Sequence, residues 1–140
     1  LKHSSNKIVI TGGPGTGKTT LIDELKGRDF ICIPEISRQV TLEARANGIE
    51  YLFLDDPLLF SKLLLEGREK QYIESTNLDA EIIFFDRGIP DIHAYMNHTD
   101  TKFPNIYLQK SQKYKYAGSN NIDEVAWYKT SYTKENRSYC

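Results

Sequence analysis

Cysteine is nearly absent from this sequence: Cys32 lies inside an apolar run and Cys140 is the last of 140 residues. Two thiols so placed exclude a disulfide framework and fit a reducing compartment, so the cytoplasm is the expected setting. Long apolar stretches are missing too. They stay as short as Ile82-Ile83-Phe84-Phe85, far below a membrane span, and residues 1–6 contain no apolar leader segment. A dominant charge is also lacking: the formal net charge is −1, which removes any global electrostatic case for nucleic acid. Histidine is scarce, and His93 and His98 stand five apart with no cysteine nearby, which counts against a metal site built on them.

What remains is an ordinary globular composition, 39% hydrophobic and 26% charged, so residues 1–140 read as one domain around one core. Charge is uneven along it. From Lys102 onward there are seven Lys/Arg against three Asp/Glu, and before it eleven against sixteen. The end of the chain is therefore basic, and it is rich in tyrosine.

Lys7 to Thr11 is a short β-branched run that reads as a buried strand. Leu21, Ile22 and Leu25 then fit a helix closed by Gly27. Phe30 to Ile33 is a second strand, stopped by Pro34. Helical spacing resumes at Ile36, Val40, Leu42 and Ala44 and ends at Asn47-Gly48. Asp56-Pro57 is a strong helix start, and the helix should run to about Thr76 with Leu59, Phe60, Leu63 and Leu64 as its buried stripe. Ile82 to Phe85 is a third strand and Pro90 opens a helix to about Asn97. Pro104 to Tyr116 fits a helix loosely, and 117–140 reads as an irregular or lid-like basic tail. Strands alternating with helices imply an α/β fold with a mainly parallel sheet covered on both faces.

Between the first strand and first helix stands Gly12-Gly13-Pro14-Gly15-Thr16-Gly17-Lys18-Thr19-Thr20. It matches the phosphate-binding pattern G-x-x-x-x-G-K-[ST], with Gly12, Gly17, Lys18 and Thr19 at the fixed positions. Glycines let successive backbone N–H groups turn inward around a phosphate, and the following helix N-terminus adds a favourable dipole. Lys18 supplies a point charge for the β- and γ-phosphates, and the Thr19 hydroxyl suits Mg²⁺. The dinucleotide pattern G-x-G-x-x-G fails, because its third glycine would fall on Lys18. The expected ligand is a nucleoside triphosphate.

In open parallel sheets, ligands bind beyond the carboxyl ends of the strands. Asp86, after the third strand, is the acidic position for the metal; its alternative is a cap for the next helix. The residue after it is Arg87, which cannot activate water as a base but can hold a transferring phosphoryl group. Glu35, after the second strand, is either the base for an acceptor hydroxyl or a helix-start carboxylate. Arg38 and Arg68 are candidate anion contacts, or solvated charges.

The segments "KIVITGGPGTGKTTLIDEL", "PEISRQV", "DPLLFSKLLLEGREKQYIE" and "IIFFDRGIPDIHAY", in this order, resemble a family of small AAA-type P-loop ATPases. That family is similar to nicotinamide-riboside-kinase-like and thymidylate-kinase-like P-loop kinases. The resemblance covers residues 7 to about 116 and implies a three-layer α/β/α P-loop NTPase sandwich. It implies ATP phosphates at Gly13 to Thr19, acceptor-side or magnesium-side roles for Glu35 and Asp86, and anion contacts at Arg38, Arg68 and Arg87. After Tyr116 the relatives' next apolar strand is replaced by Ala117 to Glu124, with Trp127 and 128–137 suggesting a lid. The C-terminal part is thus expected to be truncated or altered relative to that family.

The leading expectation is an ATP- and Mg²⁺-dependent phosphotransferase acting on a nucleoside- or nucleotide-like acceptor. The alternative is an NTP-hydrolysing switch or ATPase module without one. A third, nucleic-acid binding by interleaved Lys113, Tyr114, Lys115 and Tyr116, ranks below both, since a phosphate-closing lid explains the same charge.

Overall fold

The computed structural model describes residues 4–12 and 15–117. Gly13, Pro14 and the expected lid at Trp127 and 128–137 lie outside the described residues. Three strands, β1 (Asn6–Ile10), β2 (Ile31–Ile33) and β3 (Ile82–Asp86), form a wholly parallel sheet in the order β1-β3-β2. The helices are α1 (Lys18–Gly27), α2 (Ser37–Ala46), α3 (Leu52–Asp55), α4 (Pro57–Ser75), α5 (Ile89–His98) and α6 (Ile106–Lys113). The expected elements are present within one or two residues at most ends. The short α3 is an addition.

β3 is flanked on both sides, which explains why its sequence is apolar at four successive positions. Ile83 and Phe85 point to one face, beside Val9, Ile31 and Ile33, and pack on a core that includes Leu64, Leu65, Ile89, Ile92 and Met96 of α4 and α5. Each fully buried side chain there contributes about 1.5–3 kcal/mol. The other face bears Ile8, Ile10 and Phe84, all half-buried, with Phe30 edge-on to Phe84 at 5.5 Å. Ile22 is the buried residue of α1.

α4 starts as its sequence demands: Asp56 caps it by accepting from the Leu59 backbone N–H at 3.0 Å, and Pro57 follows. Its buried stripe differs from the expected one. Phe60, Leu64, Leu65, Arg68 and Ser75 are buried, whereas Leu59 is 36% exposed and Leu63 half-buried. Leu59 and Leu63 instead line a groove of about 620 Å³ between α2 and α4, together with Ile36 and Val40. The helix is thereby turned so that a charged residue, Arg68, faces the sheet end.

After α6, Tyr114 packs at 5.0 Å from Tyr72, while Tyr116 is buried against Tyr72 and Phe85. The Ala117 N–H then donates to Lys7 O at 2.6 Å, in a parallel bridge with Ile8. The chain thus returns to the edge of β1 that faces away from β3, parallel to it at this bridge. The apolar strand that relatives carry after this point was expected to be replaced here, and among the described residues one bridge, at Ala117, follows the tyrosines.

Candidate phosphate-binding site

All three strands end at one edge, and Lys18, Glu35, Arg68, Asp86 and Arg87 gather along it. The turn into α1 is made by Gly15 (φ 75°) and Gly17 (φ 83°), left-handed positions that glycine occupies without a Cβ penalty. Gly17 caps α1 with no side-chain hydrogen bond, and no acidic residue stands in the first turn. The first intrahelical bond is Leu21 N–H to Gly17 O at 3.0 Å, which leaves the Lys18, Thr19 and Thr20 N–H groups at the helix start for an anion. Gly12 is buried, and Thr16, Thr19 and Thr20 are exposed around the loop.

Asp86 ends β3 opposite Ile10, and its carboxylate accepts directly from the Lys18 ammonium. Both side chains are largely covered, 14% and 20% exposed. Asp86 and the Thr19 hydroxyl offer hard oxygen donors of the kind Mg²⁺ takes. No group of three or more His, Cys, Asp or Glu able to hold a metal occurs among the described residues. The donor set therefore fits a metal that arrives with phosphate oxygens and water, and does not resemble a resident all-protein cage.

Arg87 follows in a left-handed conformation (φ 66°), which costs a non-glycine residue about 1–2 kcal/mol. Its backbone N–H donates to Ile10 O at 3.0 Å and its guanidinium to Gly12 O at 3.3 Å. The Glu35 carboxylate lies 3.6 Å from Arg87 Nε and 3.7 Å from Arg68 Nη2, and accepts from the Ser37 hydroxyl at 2.6 Å. All three contacts fall on Glu35 Oε1. Arg68, only 4% exposed, donates to Gly88 O at 3.0 Å, while its buried Nε has no hydrogen-bond partner among the described residues.

Glu35, Arg68 and Arg87 thus form one cluster beside the Lys18–Asp86 pair. Arg68 is a buried tie to the turn after β3 and not a solvated charge. Arg38 lies apart from the cluster, exposed on the first turn of α2.

Asp91 was not singled out from the sequence. It is buried on α5, accepts from the Gly88 N–H at 2.7 Å and receives the Thr11 hydroxyl. It therefore pins the base of the glycine loop to the turn that carries Arg87. The readable signal was the spacing Gly88-x-x-Asp91 at a helix start, which lets an acidic third residue reach back to the N-cap backbone N–H, although Gly88 has no side chain to return the bond. Near it, burial pushes the Tyr116 phenol above its ordinary pKa; its oxygen accepts from the Ile89 N–H at 3.4 Å.

A parallel α/β sheet whose first strand runs into a glycine-rich turn, a helix N-terminus and a lysine defines a P-loop nucleotide-binding domain. A family model described as an AAA domain matches residues 7–136, and the chain belongs to that family. The match reaches twenty residues past Tyr116, where the resemblance had been expected to end. No curated protein and no solved structure matches the chain. No helix among the described residues is long and apolar enough to cross a membrane.

Proposed function

We propose that this domain is an ATP- and Mg²⁺-dependent phosphotransferase acting on a small hydroxyl-bearing acceptor of nucleoside or nucleotide type. The observation that carries this reading is the Glu35–Arg87–Gly12 contact set. It holds a guanidinium, at the position after Asp86, against the phosphate loop. A cation there stabilises charge on a transferring phosphoryl group and cannot activate water. Lys18 would neutralise the β- and γ-phosphates, and Thr19 and Asp86 would hold the metal. Bound Mg²⁺ would supply charge neutralisation of the phosphates.

Glu35 has two roles in this reading. Oε1 anchors the arginines, and Oε2 is the oxygen left for an acceptor hydroxyl. Arg68 would act by positioning Glu35 and Gly88. Arg38, at the exposed start of α2, would meet only a large acceptor. The cytoplasm is the setting we assign, on the two-cysteine composition.

A second reading, an NTP-hydrolysing switch with no small acceptor, draws support from the AAA-domain family match. A panel of nucleosides and nucleotides, assayed for ADP release with Mg-ATP, separates the two. Stimulation by one acceptor class, abolished in Lys18→Ala, supports transfer. Release that no acceptor raises above the rate in water favours the switch, and unchanged Mg-ATP turnover in Lys18→Ala defeats both.

A further inference from the structure

We propose that the groove between α2 and α4 is a docking site for an α-helix of another protein, apolar along one stripe and basic on its flanks. The inference stands apart from the phosphate site and does not depend on the reaction performed there. The floor of the groove is apolar: Val40 and Ala44 from α2, Leu52 from α3, Leu59 and Leu63 from α4, and Ile49 from the loop joining α2 to α3. Its walls are fixed where α2 and α4 touch. A Cβ on Gly67 would fall 2.2 Å from Ile36 Cδ1, so glycine admits the close approach, and Gln71 donates to Pro34 O at 2.8 Å. From Leu59 to Lys70 the α4 wall runs roughly 17 Å at about 1.5 Å per residue, the length of three helical turns. A preformed groove of that length between two helices suits a third helix that lays its apolar stripe into it.

The apolar surface extends past the groove. Among the described residues, five of the eleven exposed large hydrophobics, Ile49, Tyr51, Leu54, Leu58 and Leu59, fall within residues 49–59, and Leu54 is 68% exposed. Exposed apolar surface gathered in this way marks a partner. Charge decides which kind. The groove is rimmed by Glu43, Glu66 and Glu74 with Lys70 among them. Residues 49–59 add Glu50, Asp55 and Asp56 and contain no lysine or arginine. The nearby cations sit in loose, exposed pairs worth little: Arg45 is 3.5 Å from Glu50, Lys62 4.0 Å from Glu66 and Lys70 3.8 Å from Glu74. A second copy seated through the same face would set these carboxylates against their own images. An anionic membrane would meet the same repulsion. Lysines and arginines flanking an apolar stripe meet the rim as opposite charges.

The test is fluorescence anisotropy on the full chain with labelled synthetic peptides of about 18 residues, at about 150 mM salt. The probe carries leucine at i, i+4, i+7 and i+11 with lysine elsewhere. One control has glutamate for lysine, and another reorders the probe's own residues into strand-like alternation. The chain is expected to bind the probe at least about tenfold more tightly than either control. Leu59→Asp, at a position 36% exposed, should weaken probe binding about tenfold. Glu43→Lys combined with Glu66→Lys, both at exposed positions, leaves the apolar floor intact and should turn the preference towards the glutamate peptide. That pair keeps the test decisive if Leu59→Asp does not fold. Either control bound as tightly as the probe, or probe binding unchanged in a variant that folds, would overturn the proposal. So would a dimer of the chain, or binding to phosphatidylserine vesicles, that Leu59→Asp abolishes, since a second copy or a membrane would then occupy the groove.

Discussion

Gly88 stands where the loop carrying Arg87 turns into α5, and replacing it with alanine tests how tightly that turn is held. Its backbone is extended (φ −135°, ψ −174°), a conformation open to any residue, so the cost of Gly88→Ala is steric alone. A Cβ there would lie 2.8 Å from Val9 Cγ2 and 3.0 and 3.2 Å from two ring carbons of Tyr116. The tyrosine has little room to retreat, because Phe85 and Tyr72 meet its ring edge-on at 5.3 and 5.2 Å. Overpacking of this kind costs about 2 kcal/mol. Val9→Ala, which removes two half-buried methyl groups, costs about 1.5 kcal/mol. Trimming Val9 makes space for the new Cβ, so the double variant should be destabilised by about 2.5 kcal/mol, roughly 1 less than the sum. Urea denaturation with unchanged m-values reads all three. A double variant that matches the sum to within about 0.5 kcal/mol would refute the steric account.

Other perturbations test the remaining supports. Arg68→Met strands the buried Gly88 carbonyl and removes one of Glu35's two guanidinium partners, so a loss of about 3 kcal/mol in urea unfolding is expected; a loss under about 1 kcal/mol would mean the tie to Gly88 O is idle. Asp56→Ala removes the cap on Leu59 N–H and should cost about 1 kcal/mol, with Asp56→Asn close to wild type. His93 is buried on α5 beside Phe103, and burial pushes its imidazole below the ordinary 6.5. Below 6.5 the unfolded chain binds a proton that the fold refuses, so stability should rise with pH from the lowered value up to 6.5 and level off above it. His93→Gln should flatten that slope in thermal melts between about pH 5 and 7.5, and an unchanged slope assigns it to other groups.

The parts legible from sequence were those with local causes. Glycine spacing, the Asp56-Pro57 start and the polar residues ending each strand depend on a few neighbours in the chain, and each stands where it was expected. The rotation of α4 was not legible. Leucines at 58, 59, 63, 64 and 65 satisfy several helical stripes equally, and only the α2–α4 groove decides which of them face the sheet. Arg68 belongs to the same problem, since nothing local announces that a guanidinium will be buried under the turn at Gly88. The return of the chain to β1 was missed for a different reason: Tyr114 and Tyr116 alternate with lysines, and a half-polar period does not look like a strand next to a buried sheet. Arg87's left-handed backbone has no sequence signature, as arginine is a poor choice for it.

The strand order has a consequence for how the domain is made. β1 and β2 are successive strands but never touch, because β3 lies between them and pairs with both. Asn6 waits for Ile82, and Ile31 for Ile83. A nascent chain that has emerged only as far as α4 holds the phosphate loop but has no sheet to mount it on, and lacks both Asp86 and Arg87. Contacts of such long sequence separation close late and make folding slow. The glycine loop is therefore synthesised before β3, and it becomes a binding site only when the middle strand slides into place.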